Sequence, residues 1–162
     1  MMTRSSKFRI FVVEDHPGTA RALKMFLESS GFAVDVALDM TSALALAERI
    51  EFDVMLCDLN LPDGNGWDLL TELRKKRKRN VRAIAFSAFD DAHHLERSRA
   101  AGFISHLVKG LDPEDLLAAL KNACAASPPK TRKADAAHAD VRSRRRAMSK
   151  GHIKLESSSR ES

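Results

Sequence analysis

The chain is poor in cysteine and has no long apolar stretch, and each shortage excludes a class of protein. Cys57 and Cys124 are its only cysteines, and they lie far apart with no C-x-x-C pair. Neither a disulfide framework nor a zinc site is indicated, and a reducing, cytoplasmic setting is expected. No apolar run approaches the roughly 18 residues of a membrane span, so no membrane partner is expected. The run at 10–13 is ended by Glu14 and Asp15, which makes it too short for a signal-peptide core. What is present is 44% hydrophobic and 30% charged residues, a balance that excludes wholesale disorder. A length of 162 residues suits one ordinary domain plus an appendage.

The net charge of +5 is unevenly placed. Residues 1–124 hold 17 Lys and Arg against 18 Asp and Glu, a net −1; residues 125–162 hold 10 against 4, a net +6. This asymmetry, with the linker-like Ser127-Pro128-Pro129, predicts a globular domain over 1–126 and a basic tail over 127–162. The tail has little apolar surface to bury and is expected to lack a fold of its own, although 134–148 can form a short basic helix. It contains no aromatic residue. Base stacking is therefore unsupported, and nucleic-acid binding would rest on phosphate contacts from residues such as Arg144, Arg145 and Arg146. A solubilising tail is the plainer reading.

Within 1–126, two apolar periods alternate. Continuous runs at 10–13, 54–57 and 83–86 have the pattern of strands buried on both faces. The run at 104–108 is weaker, broken by Ser105 and His106, and the run at 33–37 carries Asp35, which suggests an edge strand. Between them lie helical faces: Ala20, Leu23 and Leu27; Ala43, Leu46, Ala47 and Ile50; Leu69, Leu70 and Leu73; a weak segment over 91–101; and Leu116, Leu120, Ala123 and Cys124. Pro17, Asp39 and Asp112-Pro113 mark helix starts, and Gly31 and Gly102 mark stops. Five β-α units in succession predict an α/β fold. It would be a doubly wound, five-stranded parallel sheet of order 2-1-3-4-5, flavodoxin-like, with its ligand site at the carboxyl ends of strands 1 and 3.

Those ends read Val13-Glu14-Asp15 and Cys57-Asp58-Leu59-Asn60. Three converging carboxylates repel, and an all-oxygen set answers that repulsion best with Mg²⁺. Ser87 and Lys109 stand at the ends of strands 4 and 5. With Mg²⁺ the formal charge of the acids and Lys109 sums to zero, a setting suited to a phosphoryl group. Other residues take plainer readings. Cys57 is a buried small side chain, Trp67 packs, adjacent His93 and His94 diverge on a helix, and the basic run 74–79 is a solvated helix end.

The stretches Val12-Val13-Glu14-Asp15-His16, Asp58-Leu59-Asn60-Leu61-Pro62-Asp63-Gly64-Asn65-Gly66, Phe86-Ser87-Ala88 and Lys109 occur in the order and spacing of a known family. The chain resembles the receiver domain of two-component response regulators over about residues 7–126. The resemblance implies that Asp58 accepts a phosphoryl group from a phosphohistidine on a sensor histidine kinase or phosphotransfer protein. It implies Mg²⁺ held by Glu14, Asp15, Asp58 and the backbone carbonyl of Asn60, phosphoryl binding by Ser87 and Lys109, and a switch at His106. Output would run through the fourth helix, fifth strand and fifth helix. Three residues depart from the family pattern: Gly110 replaces a usual proline, His106 a usual tyrosine or phenylalanine, and Glu14 a frequent aspartate.

The expectation is a single-domain response regulator in a His–Asp phosphorelay, not an enzyme. Alternatives are a phosphate sink or shuttle without conformational output, and a nucleic-acid-binding adaptor acting through the tail. A phosphatase of the haloacid-dehalogenase type also uses a strand-end aspartate. It needs a second acid two residues on, and Asn60 cannot transfer that proton.

Overall fold

Alternating side-chain direction along each strand divides the apolar residues between two layers. A computed structural model describes residues 7–78 and 80–126, and the backbone of 152–154. Its elements are β1 (Arg9–Val13), α1 (Pro17–Ser29), β2 (Ala33–Ala37), α2 (Met40–Ala47), β3 (Val54–Cys57), α3 (Gly66–Arg77), β4 (Ala83–Ser87), α4 (Ala92–Ala101), β5 (Ser105–Val108), α5 (Pro113–Ala125) and β6 (His152–Lys154). A two-residue-per-arm hairpin, Asn60–Leu61 with Gly64–Asn65, links β3 to α3.

The sheet order is β2-β1-β3-β4-β5-β6. The first five strands are parallel, as expected from the βα alternation, with β2 at one edge. Phe11, Val13, Met55, Cys57, Ala83 and Ala85 point to the face covered by α2 and α3, with Leu95 and Ala101 of α4 packed against that layer. Ile10, Val12, Val54, Leu56, Ile84, Phe86 and Leu107 point to the face of α1 and α5. The central strand β3 is apolar throughout, and polarity begins where it ends, at Asp58.

The sixth strand was not anticipated. β6 pairs antiparallel with β5, Ser105 opposite Lys154, His106 opposite Ile153 and Leu107 opposite His152. The domain boundary, the linker and the candidate basic helix fall on 127–151, outside the described residues.

Helix ends follow the local chemistry. Pro17 opens α1; Asp39, Asp91 and Asp112 accept backbone N–H groups at the starts of α2, α4 and α5. Gly102 closes α4 at φ +96°, a region glycine enters without strain. Gly110 has the same φ, which proline's ring cannot adopt, so the family's usual residue does not fit this turn.

The basic run after Leu73 departs from its solvated reading. Arg74 turns inward and donates to the carbonyls of Ala101, Gly102 and Val81 at 2.9–3.1 Å. Arg77 donates to the carbonyls of Ala47 and Ile50, pairs with Glu51, and lies 4.5 Å over the Phe52 ring. Residues three apart on α3 share a face, so these two arginines meet protein while Lys75 and Lys76 stay outward.

Candidate functional site

The parallel register brings four strand ends to one rim. Val13 pairs with Cys57, and Ser87 with Val108, so Glu14, Asp58, Ser87 and Lys109 leave the sheet together. The backbone is continued past the strands by bonds from Asp58 N to Val13 O (2.8 Å), Glu14 N to Ala37 O (3.1 Å) and Lys109 N to Ser87 O (2.7 Å). These bonds hold the rim in place before any side-chain contact is considered.

The structure gathers the expected acids. Carboxylate oxygens of Glu14, Asp15 and Asp58 lie within 4.8 Å of one another. Glu14 is 1% and Asp58 6% exposed, while Asp15 is half-buried. Lys109 Nζ sits between two of them, 2.8 Å from Glu14 Oε2 and 2.8 Å from Asp58 Oδ2. Burial lowers the affinity of that ammonium for its proton, yet the hydrogen bond to Asp58 and the charges of Asp58 and Glu14 raise its pKa overall. The Glu14 pKa is raised as well, but here burial is the main cause; the Asp58 charge adds to it, and Lys109 opposes it.

Asp58 is held from both sides. Lys109 donates to its Oδ2, and the backbone N–H of Asn60 donates to its Oδ1 at 3.0 Å. Asn60 is exposed and opens the short hairpin. Behind it, Gly66 packs against the backbone of Asp58: a Cβ there would lie 2.6 Å from Asp58 O and 3.1 Å from Cys57 Sγ. Cys57 is fully buried, and desolvation with the nearby Asp58 and Glu14 charges raises its thiol far above the ordinary range. It is inert packing, as its place in the strand pattern implied.

The acidic group fits a hard divalent cation. Its donors are all oxygen, and Glu14 Oε2 is buried with the Lys109 charge beside it but no aligned hydrogen bond. Asp63, part of the same acidic stretch, does a different job. It accepts from Met40 N, Thr41 N and Thr41 Oγ1 at 2.6–2.8 Å, tying the hairpin to the start of α2.

Ser87 is fully buried, and its Oγ accepts from Phe89 N–H at 3.1 Å. His106 is fully buried too, on β5. Its Nε2 lies 2.7 Å from Phe89 O and its Nδ1 3.2 Å from Ser98 Oγ. Ser98 also accepts from Trp67 Nε1 at 3.0 Å. Trp67 packs as expected, but its indole N–H has a buried polar partner. Ser98 and Phe89 escaped the sequence reading, since a serine inside a weak helical segment carries no periodic signal. His94 stacks on Phe89 and bonds Asp91 through Nδ1 at 2.5 Å. With His93 these form a second, largely exposed group of metal-ligand residues. Adjacent residues diverge on a helix, yet the rings of His93 and His94 meet edge to face, 5.9 Å apart.

A family model described as the response regulator receiver domain matches residues 10–121. An uncharacterized 14.6 kDa protein of Leptolyngbya boryana is 31% identical over 129 residues, covering 79% of this chain and 98% of that one. The nitrate/nitrite response regulator protein NarP of Escherichia coli (strain K12) is 33% identical over 122 residues, 74% of this chain and 56% of that protein. The chain thus spans little more than half of such longer regulators. Among solved structures, the non-phosphorylated HemR receiver domain from Leptospira biflexa is 30% identical with a TM-score of 0.70, covering 77% of this chain and all of that one. A CheY-like receiver domain protein from Methanospirillum hungatei JF-1 is 29% identical with a TM-score of 0.69, covering 74% of this chain and 95% of that one.

Proposed function

Because this chain belongs to the response regulator receiver family, we propose that it works in a His–Asp phosphorelay, with Asp58 as the phosphoryl acceptor. The observation that carries the reading is the clamped Asp58 carboxylate, nearly buried between Lys109 Nζ and the Asn60 N–H with Glu14 and Asp15 alongside. A carboxylate fixed at the rim of a parallel sheet presents one oxygen in a defined direction, which favours in-line attack.

The donor would be a phosphohistidine on a sensor histidine kinase or phosphotransfer protein. A carboxylate oxygen of Asp58 forms the new O–P bond as the N–P bond breaks, and the electron pair leaves with the imidazole. Lys109 supports the product by pairing with a phosphoryl oxygen once Asp58 has given up its full negative charge. Ser87 O–H is free to donate to another, because its oxygen here only accepts. Asn60 N–H fixes which acceptor oxygen stays oriented. Mg²⁺ would be held by Glu14, Asp15, Asp58 and the Asn60 carbonyl. When bound, it neutralises the clustered carboxylates and the incoming phosphoryl oxygens. His106 would pass the change to α4, β5 and α5.

Acetyl phosphate with Mg²⁺ should add one phosphoryl group to the full chain, read by intact mass, and Asp58→Asn should abolish it. Labelling that persists in Asp58→Asn would overturn the assignment.

A further inference from the structure

The hydrogen bonds around His106 have a single consistent polarity. An indole N–H only donates and a carbonyl only accepts. Trp67 Nε1 therefore donates to Ser98 Oγ, and Phe89 O accepts from His106 Nε2. The Ser98 hydroxyl keeps one hydrogen, and His106 Nδ1 is its neighbour at 3.2 Å. Only a neutral ring carrying its proton on Nε2 uses every one of these groups. Phe89 then links the ring to the rim, since its N–H donates to Ser87 Oγ. Ser98 and His106 are fully buried and Trp67 nearly so, so none of these polar groups has water as a ready substitute.

We propose that Ser98 and Trp67 are positioning residues for the switch: they fix His106 inward as its Nε2–H tautomer and complete a relay from Ser87 to the indole of α3. The proposal rests on the phosphorelay reading for its trigger and on the hydrogen-bond geometry for its path. When the Ser87 hydroxyl turns to a phosphoryl oxygen, Phe89 N–H loses its acceptor and the loop before α4 shifts. The carbonyl that holds His106 moves with it. Burial supports the neutral form, because it lowers the pKa of His106.

Trp67 is the only tryptophan of the chain, which makes its indole N–H an unambiguous reporter. The experiment uses the full chain labelled with ¹⁵N. In the unmodified protein at neutral pH, His106 should show the Nε2–H tautomer; an Nδ1–H tautomer or a protonated ring would overturn the relay. Acetyl phosphate with Mg²⁺ should then move the Trp67 indole resonance. Ser98→Ala should accept the phosphoryl group, by mass, at the wild-type rate yet lose that movement, and Ser98→Thr should restore it. An indole that moves equally in Ser98→Ala, or that does not move in phosphorylated wild type, would also overturn the proposal. Absence of any added mass in wild type would instead sink the phosphorelay reading, while the tautomer measurement still decides the resting half of the relay.

Discussion

Gly66 shows how one missing methyl group places Asp58, the proposed acceptor. A Cβ there would sit 2.6 Å from the backbone oxygen of Asp58, and neither backbone can yield without moving β3. Gly66→Ala should therefore cost about 1–3 kcal/mol, the usual range for overpacking, and slow phosphorylation by acetyl phosphate. Urea unfolding and mass spectrometry read the two effects, and a variant with wild-type values in both would refute the placement. His106 makes a second prediction, with a sign set by linkage. Its folded pKa lies below the ordinary 6.5, chiefly through burial; His94 adds to the shift, while Asp90, Asp91 and the Phe89 carbonyl oppose it. The unfolded chain thus binds more protons just below 6.5, so this contribution rises with pH through that window and is lost on acidification. Glu14 acts in the opposite sense: its raised pKa means stability falls as pH climbs from 4.5. Comparing wild type with His106→Phe between pH 5.5 and 7.0 cancels Glu14, and the wild type should show the steeper gain. Equal slopes would show that the ring does not titrate as argued.

Elements differ in how plainly the sequence announces them, and the reason is where each buries its surface. The central strands β1 and β3 were legible because parallel strands covered on both sides carry near-continuous apolar runs, so Glu14 and Asp58 stand out as the first polar residues beyond them. The edge position of β2 was legible from Asp35. α4 was faint because its one fully buried residue is a serine; packing that runs through hydrogen bonds leaves no hydrophobic period. The arginines of α3 misled for a related reason, since a basic run reads as solvent-facing until the chain's own carbonyls are seen to receive it. Arg74 joins the end of α4 to the segment before β4 by three bonds. Arg74→Met keeps much of the stem's packing but leaves those carbonyls without a donor. At roughly 1.5–3 kcal/mol for hydrogen bonds to a charged group, the expected loss is about 2 kcal/mol. Faster amide exchange at the carboxyl end of α4 should accompany it. Lys75→Met, on the outward face, should change neither; equal losses in the two variants would mean that α3 presents no inward basic face.

At the scale of the molecule, the described core and the basic remainder are separable in composition, yet β6 joins them through a backbone ladder. Among the described residues, both apolar layers are built from side chains between Ile10 and Cys124. β6 nonetheless lies along β5, with Ile153 opposite His106 in the ladder. That is an edge-covering contact: without it the outer side of β5 presents free N–H and C=O groups. A chain ending at Ala126 should keep the fold, losing at most about 2 kcal/mol, because three residues added at a sheet edge contribute only a few backbone hydrogen bonds. Amides of Ser105–Leu107 that bond β6 should exchange at least tenfold faster, while those of β1 and β3 keep their global protection. The same truncation removes the +6 of residues 125–162. Retention of the full chain on a polyanionic matrix should fall steeply with salt and should vanish for the shortened one, because lysines and arginines bind phosphate-like charge by releasing counterions. If exchange in β5 is unchanged by truncation, β6 does not hold that edge in solution. If the shortened chain unfolds, the segment after Ala126 supports the core through more than this one ladder.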